Sequence, residues 1–334
     1  MNPMDALRNP QRTQRLLRLL TKAAAATLLL LGLVALTACD TLDAVLTDTD
    51  DAEPAAPSPV QIGSKDFTEN LILGELYALA LEDFDIPVQR RLGLASAVVH
   101  VAMLQGDIDL YPEYTGTGLL TVLQLPMETD PQTVFDIVSK EYYSRYDIVW
   151  LDAAPANNSQ GIVVTAEASE TYNITTISDF QREAHNLRFA TQGEFDYRED
   201  ALPLLIEVYG SISFKSSALF DNALKYEILE SGQADAAPAY TTEGRLTDPA
   251  FVLLEDDKQA WPPYNIAPII RSETLVAHPE IALILNAISV DLTSEMMTAL
   301  NAQVDVDGQD YAEVALEYWL LIRDVIIEQV EQAQ

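Results

Sequence analysis

The chain is 334 residues long, carries a formal charge of −33 at neutral pH and is 49% hydrophobic. Its length suits two domains rather than one small one, and its apolar content excludes a disordered polyanion. The acidity argues against nucleic-acid binding, which wants basic patches, and reads either as a solvated surface or as an adaptation to high salt.

The first segment is basic, with Arg8, Arg12, Arg15, Arg18 and Lys22, and an apolar run over 23–38 follows it. A basic region, a short apolar stretch and small residues before a cut site predict a secretory signal over residues 1–38. The run ends Leu36-Thr37-Ala38-Cys39, which resembles the bacterial lipobox. That resemblance implies that Cys39 is lipidated and becomes the mature N-terminus. Cys39 is the only cysteine, so no intrachain disulfide forms. Residues 39–59 are acidic and Pro-bearing without apolar periodicity, and they read as a flexible tether.

The folded part starts with a predicted strand at 60–63. Asp66, with Glu69 three residues later, has the form of a capping box. Leu71, Ile72, Leu76, Leu79 and Ala80 then fit one helix face. Lys65 falls in the loop between. A strand at 88–92 follows, then a helix at 97–104 with Ser96 as cap and Gly106 as stop. The next strand covers 108–111, with 112–115 at its carboxyl end, and a helix begins at 117. This alternation predicts an α/β lobe with a largely parallel sheet. In such sheets ligands sit outside the carboxyl ends of the strands, where Lys65, Tyr114 and Thr117 fall.

A helix at 131–146 and a strand at 147–151 come next. The strand at 161–165 is expected to cross into a second lobe. That lobe continues with a helix opening at Ile177, a strand at 188–191 entering a loop that holds Arg198, helices at 203–209 and 222–231, and a strand at 251–254. The Pro-rich stretch 261–270 reads as an extended return to the first lobe. Helices near 279–291, 294–301 and 310–331 close the chain. The last carries an apolar stripe of Val314, Tyr318, Leu321, Ile322 and Val325, expected to pack in the core.

One internal correspondence stands out. The run from Gly106 to Gly118 and the run from Gly232 to Gly244 both obey G-x-x-D-x-x-P-x-Y-T-x-x-G. A repeat at such long spacing is not a solenoid period. It suggests two related lobes, each placing a tyrosine (Tyr114, Tyr240) at the same spot.

Enzyme readings find little support. His100, His185 and His278 share no motif, and neither a second cysteine nor H-x-x-x-H offers a metal site. No G-x-S-x-G or phosphate loop is present. Tyr114, Tyr240 and Tyr264 at loop positions suit a cage for a quaternary ammonium, which accepts no hydrogen bond and is held by ring faces. Lys65 and Arg198 could meet a carboxylate.

Gly63-Ser64-Lys65-Asp66-Phe67-Thr68-Glu69, Leu73-Gly74-Glu75, the run from Asp109 to Gly118, and Pro262-Pro263-Tyr264 resemble the osmoprotectant substrate-binding lipoproteins of ABC importers, of the glycine betaine/carnitine/choline type. The resemblance spans residues 60–325. It implies a two-lobed α/β periplasmic-binding-protein fold of type II, with lobe 1 formed by 60–157 and 265–334 and lobe 2 by 158–264. It implies capture of a small zwitterionic or cationic solute between the lobes, with an ABC permease and its ATPase as partners. The protein is then a lipid-anchored monomer on the extracytoplasmic face of the cytoplasmic membrane, with no cofactor, metal or nucleic acid. By motif, Tyr114 and Thr117 match ligand-contacting positions, Tyr240 and Tyr264 match cage walls, and Lys65 and Arg198 match contacts to the ligand carboxylate. Where the family often reads Asn-Asn-Thr-Tyr, this chain has Asn157-Asn158-Ser159-Gln160. Gln160 thus replaces a cage tyrosine, and Asn158 falls at a site that contacts ligand in some members. A polar, non-quaternary solute is the alternative that Gln160 leaves open.

Overall fold

In the computed structural model the described residues are 58–333 except Glu194, Asn222 and Ala223. The predicted signal, Cys39 and the tether up to residue 57 lie outside them. Strand β1 (Val60–Lys65) runs through to Lys65, which therefore ends a strand rather than sitting in a loop. Helix α1 (Thr68–Asp83) opens with Phe67 at the N-cap and no side-chain cap, so the predicted Asp66–Glu69 capping box does not form. Glu69 turns inward instead, for the reason given below. After β2 (Val88–Leu94), α2 (Ser96–Gln105) begins with Ala95, not Ser96, at the N-cap and ends on Gly106 in the left-handed region. Strand β3 (Leu110–Tyr114) extends to Tyr114 itself and leads into a short turn with a π-helical segment at Gly118–Val122. Helix α3 (Pro131–Tyr146), capped by Asp130, and β4 (Ile148–Trp150) follow.

The chain then builds β5 (Gln160–Thr165), α4 (Ala166–Tyr172), α5 (Ile177–Glu183), β6 (Arg188–Thr191), α6 (Leu202–Tyr209), β7 (Ser216–Leu219), α7 (Lys225–Glu230), β8 (Ala236–Tyr240) and β9 (Phe251–Leu253). It returns through β10 (Ile266–Arg271) to α8 (Ser272–Ala277), α9 (Glu280–Asp291), α10 (Ser294–Asp305) and α11 (Tyr311–Ala333). Helices α4 and α8 and strand β7 carry too few apolar residues for a periodic signal; all four residues of β7 are exposed at a sheet edge.

Two five-stranded sheets result, in the orders β2-β1-β3-β10-β4 and β7-β6-β8-β5-β9. Each places one reversed strand fourth: β10 is antiparallel to β3 and β4, and β5 is antiparallel to β8 and β9. Those reversed strands follow the two crossings between lobes, which pair with each other at Asn157 and Asn265. Helix α11 lays Val314, Tyr318, Trp319, Ile322, Ile326 and Val330 into the core of lobe 1. The predicted stripe needs correction, because Leu321 is 74% and Val325 52% exposed. The buried face continues through Ile326 and Val330, four residues apart, as a 3.6-residue period requires.

Candidate functional site

The two repeat copies occupy equivalent places. Asp109, just before β3, donates its backbone N–H to the Gln61 carbonyl at 2.7 Å and accepts the Gln61 N–H on its carboxylate at 2.8 Å. Asp235, just before β8, does the same with Arg188, at 2.8 and 2.7 Å. Beyond the tyrosines, the Thr115 N–H reaches the Asn265 carbonyl at 3.0 Å, and the Thr241 N–H reaches the Ser159 carbonyl at 2.9 Å. Each threonine hydroxyl also donates to the same crossing segment that its N–H reaches, to the Pro263 carbonyl at 2.9 Å and to the Asn157 carbonyl at 2.6 Å. The repeat thus marks the two strand ends that grip the hinge.

Each tyrosine backbone is pinned by a lysine–glutamate pair, fully buried in lobe 1 and with the glutamate half-buried in lobe 2. In lobe 1, Lys65 is ion-paired with Glu113, which also accepts the Tyr111 hydroxyl at 2.9 Å and the Tyr114 N–H at 2.8 Å. In lobe 2, Lys225 is ion-paired with Glu243, which accepts the Tyr226 hydroxyl and the Tyr240 N–H. Glu243 stands where the first copy has Thr117, so the second lobe takes its pinning carboxylate from a different point of the motif.

Between these ends lies a cleft of about 640 Å³ whose lining includes Lys65, Tyr114, Thr117, Asn158, Gln160, Arg198, Tyr240 and Tyr264. All eight residues that the sequence singled out therefore share one cavity. Tyr114 is only 4% exposed, with Phe67 tilted against it at 6.0 Å and the Lys65 ammonium 4.9 Å from its ring centroid. Tyr240 is 40% exposed. Tyr264 lies so close over Gly116 that a Cβ there would stand 2.7 Å from its ring. Burial pushes the hydroxyls of Tyr114 and Tyr264 well above the ordinary tyrosine range, so both remain neutral donors.

Two acidic groups organise the cleft and were not anticipated. Glu69 is buried and accepts the Tyr114 hydroxyl at 2.9 Å, the Asn158 amide at 2.8 Å and the Asn301 amide at 3.1 Å. The Asn301 amide also reaches the Thr242 carbonyl of lobe 2 at 2.8 Å. Burial raises the Glu69 carboxyl, and these donors oppose the rise. Three inward donors outcompete a capping role, which explains the failed capping box.

The second group is Asp200. It takes a bidentate pair from Arg198 at 2.9 and 2.5 Å, the Gln160 amide at 3.0 Å and a long contact from the Tyr264 hydroxyl at 3.5 Å. Its carbonyl accepts Gln160 at 2.7 Å and the Trp261 indole at 2.9 Å. The Asp200 hydrogen bond pushes the Arg198 guanidinium above its already high range. The Gln160 NH2 group is therefore spent on Asp200. The only signal in the sequence was the two-residue spacing of Arg198 and Asp200. Among the described residues no group of three metal-ligating side chains occurs.

Residues 58–320 match the family described as the substrate binding domain of ABC-type glycine betaine transport systems. The glycine betaine-binding protein YehZ of Escherichia coli is 32% identical over 278 residues, covering 79% of this chain and 90% of that protein. The carnitine transport binding protein of Listeria monocytogenes is 30% identical over 263 residues, covering 78% and 85%. The ergothioneine transport permease/ergothioneine binding protein of Helicobacter pylori is 32% identical over 250 residues, and there the chain spans 45% of the relative's length. Among solved structures, a glycine betaine/carnitine/choline ABC transporter protein superposes with a TM-score of 0.74 at 26% identity, covering 79% of this chain and 98% of that one.

Proposed function

Because the chain belongs to the substrate-binding domains of ABC-type glycine betaine transport systems, and so acts as an extracytoplasmic solute-binding component, we propose that its cleft captures a quaternary-ammonium head among Tyr114, Tyr240 and Tyr264 and presents the closed form to an ABC permease. The observation that carries this reading is the arrangement of those three rings, one at the end of a central strand in each lobe and one on the returning crossing segment, around a single cavity. Ring faces attract a cation that cannot be hydrogen-bonded. Thr117 and Asn158 supply polar wall. Lys65 and Arg198 line the same cavity, each with a resident carboxylate partner. Gln160 stands in the place of a fourth ring and holds the Arg198–Asp200 loop through its amide NH2 group, which leaves a polar solute only the amide oxygen.

Cys39 carries the lipid anchor, and the protein works as a tethered monomer. Titration calorimetry with glycine betaine, choline, carnitine and proline tests the reading. Binding of at least one quaternary solute and none of proline is expected. No heat from any quaternary solute up to millimolar concentration would refute it. Mass spectrometry of the membrane-extracted protein checks for acylation at Cys39.

A further inference from the structure

Five charged side chains line the cleft: Lys65, Arg198, Glu69, Glu243 and Asp305. The two cations differ in how firmly they are held. The Lys65–Glu113 pair is almost fully buried, with side chains 5% and 2% exposed, so breaking it would leave a charge stranded. The Arg198–Asp200 pair is 40% and 22% exposed; Arg198 lines the cleft, and Asp200 stands behind it on the wall of a neighbouring cavity that Arg198 also lines. Arg198 is thus the lining cation that a solute carboxylate can reach at least expense, and Asp200 already occupies its Nε–Nη2 edge. The rest of the wall adds acceptors: the amide oxygens of Asn158 and Asn301 are buried without a hydrogen-bond partner among the described residues.

We propose that Asp200 is a specificity-determining residue, a resident carboxylate that competes with the solute's own for Arg198 and so sets the preference between cationic and zwitterionic quaternary ammonium compounds. The inference rests on the quaternary-ammonium reading above. With Asp200 in place, a zwitterion must displace it or pair with the remaining Nη edge of a guanidinium whose charge Asp200 already neutralises. A cation such as choline meets no such requirement. The Gln160 amide, bonded to both the carbonyl and the carboxylate of Asp200, keeps the competitor in position.

The test measures glycine betaine and choline binding by calorimetry on the wild type, Asp200→Asn and Arg198→Gln. Asp200→Asn is isosteric and can still accept from Gln160, but it no longer neutralises Arg198. It should tighten betaine relative to choline by about tenfold, equivalent to about 1.4 kcal/mol. Arg198→Gln should move the ratio the other way, and it carries the test if the first variant fails to fold. A merely structural role would weaken both solutes together, so an unchanged ratio in folded variants overturns the proposal while leaving the capture of quaternary ammonium intact. If the wild type binds neither solute, the underlying reading fails instead.

Discussion

Substituting Gly116 by alanine moves one wall of the cleft without removing any group from it. The added Cβ would stand 2.7 Å from two carbons of the Tyr264 ring and 2.9 Å from a third. Carbon–carbon contacts settle near 3.5–4.0 Å, so the ring must retreat by roughly 0.8–1.3 Å. Overpacking of this kind typically costs about 1–3 kcal/mol of stability. A ring displaced from the cation forfeits part of an attraction of about 0.5–2 kcal/mol, a loss of up to roughly thirtyfold in affinity. Calorimetry with the tightest quaternary solute and thermal unfolding followed by circular dichroism read the two effects separately. Tyr264→Phe is the companion variant. It keeps the ring and loses only the long hydroxyl contact to Asp200, so affinity should stay within about twofold. An unchanged affinity in Gly116→Ala, with the lowered unfolding temperature that marks the clash, would show that the Tyr264 ring is not a wall of the binding site.

Ile326→Ala should cost about 2–5 kcal/mol in chemical denaturation, because Ile326 is fully buried. Leu321→Ala, on the exposed side of the same helix, should stay within about 0.5 kcal/mol; equal losses would refute the assigned face. Glu69 has a raised carboxyl pKa, so the native state holds its proton longer than the unfolded chain does. Its contribution is fully present below the ordinary value of 4.5 and is lost as pH rises through the raised one. The stability of the wild type relative to Glu69→Gln should therefore fall as pH rises above 4.5 and then level off; a rise over that window would contradict the burial argument. With a net charge of −33, raising ionic strength from about 0.01 to 1 M shortens the screening length from about 30 to 3 Å. Self-repulsion should weaken and the unfolding temperature should climb; a flat or falling response would count against it.

The architecture was legible in the sequence because strand–helix alternation leaves a periodic signal, and because the repeat fixes equivalent backbone tasks. Asp109 and Asp235 each bind a neighbouring strand twice, which demands an aspartate in both places. Lys65, Tyr114, Thr117, Tyr240 and Tyr264 were legible from strand ends, the repeat and the returning crossing, and Arg198 from its loop after a strand, whereas Asn158 and Gln160 were named only by the family resemblance. What escaped was pairing. Nothing in Thr68-Glu69-Asn70 says whether the carboxylate caps its own helix or faces Asn158 and Asn301, one of them 232 residues away. Gln160 looked like a missing ring. Its role appears only when the loop from Arg198 to Asp200 folds back over it. The Leu321 and Val325 error is of another kind: helical spacing identifies an apolar side only to within one neighbouring position.

The reversed strand in each sheet has a bearing on which stretches of chain each lobe needs. Lobe 2 has all five of its strands between residues 160 and 253, in one uninterrupted stretch of chain. Lobe 1 is not continuous in this way. Its sheet has β4 on an outer edge, joined to β3 only through β10, and α1 packs against α11 at the far end of the chain. About 120 residues separate the end of β4 at Trp150 from the end of β10 at Arg271. Until that later stretch is in place β3 has an open edge and the apolar side of α1 is uncovered, so the half of the cleft that carries Tyr114 depends on chain from both sides of lobe 2, while the half that carries Tyr240 does not.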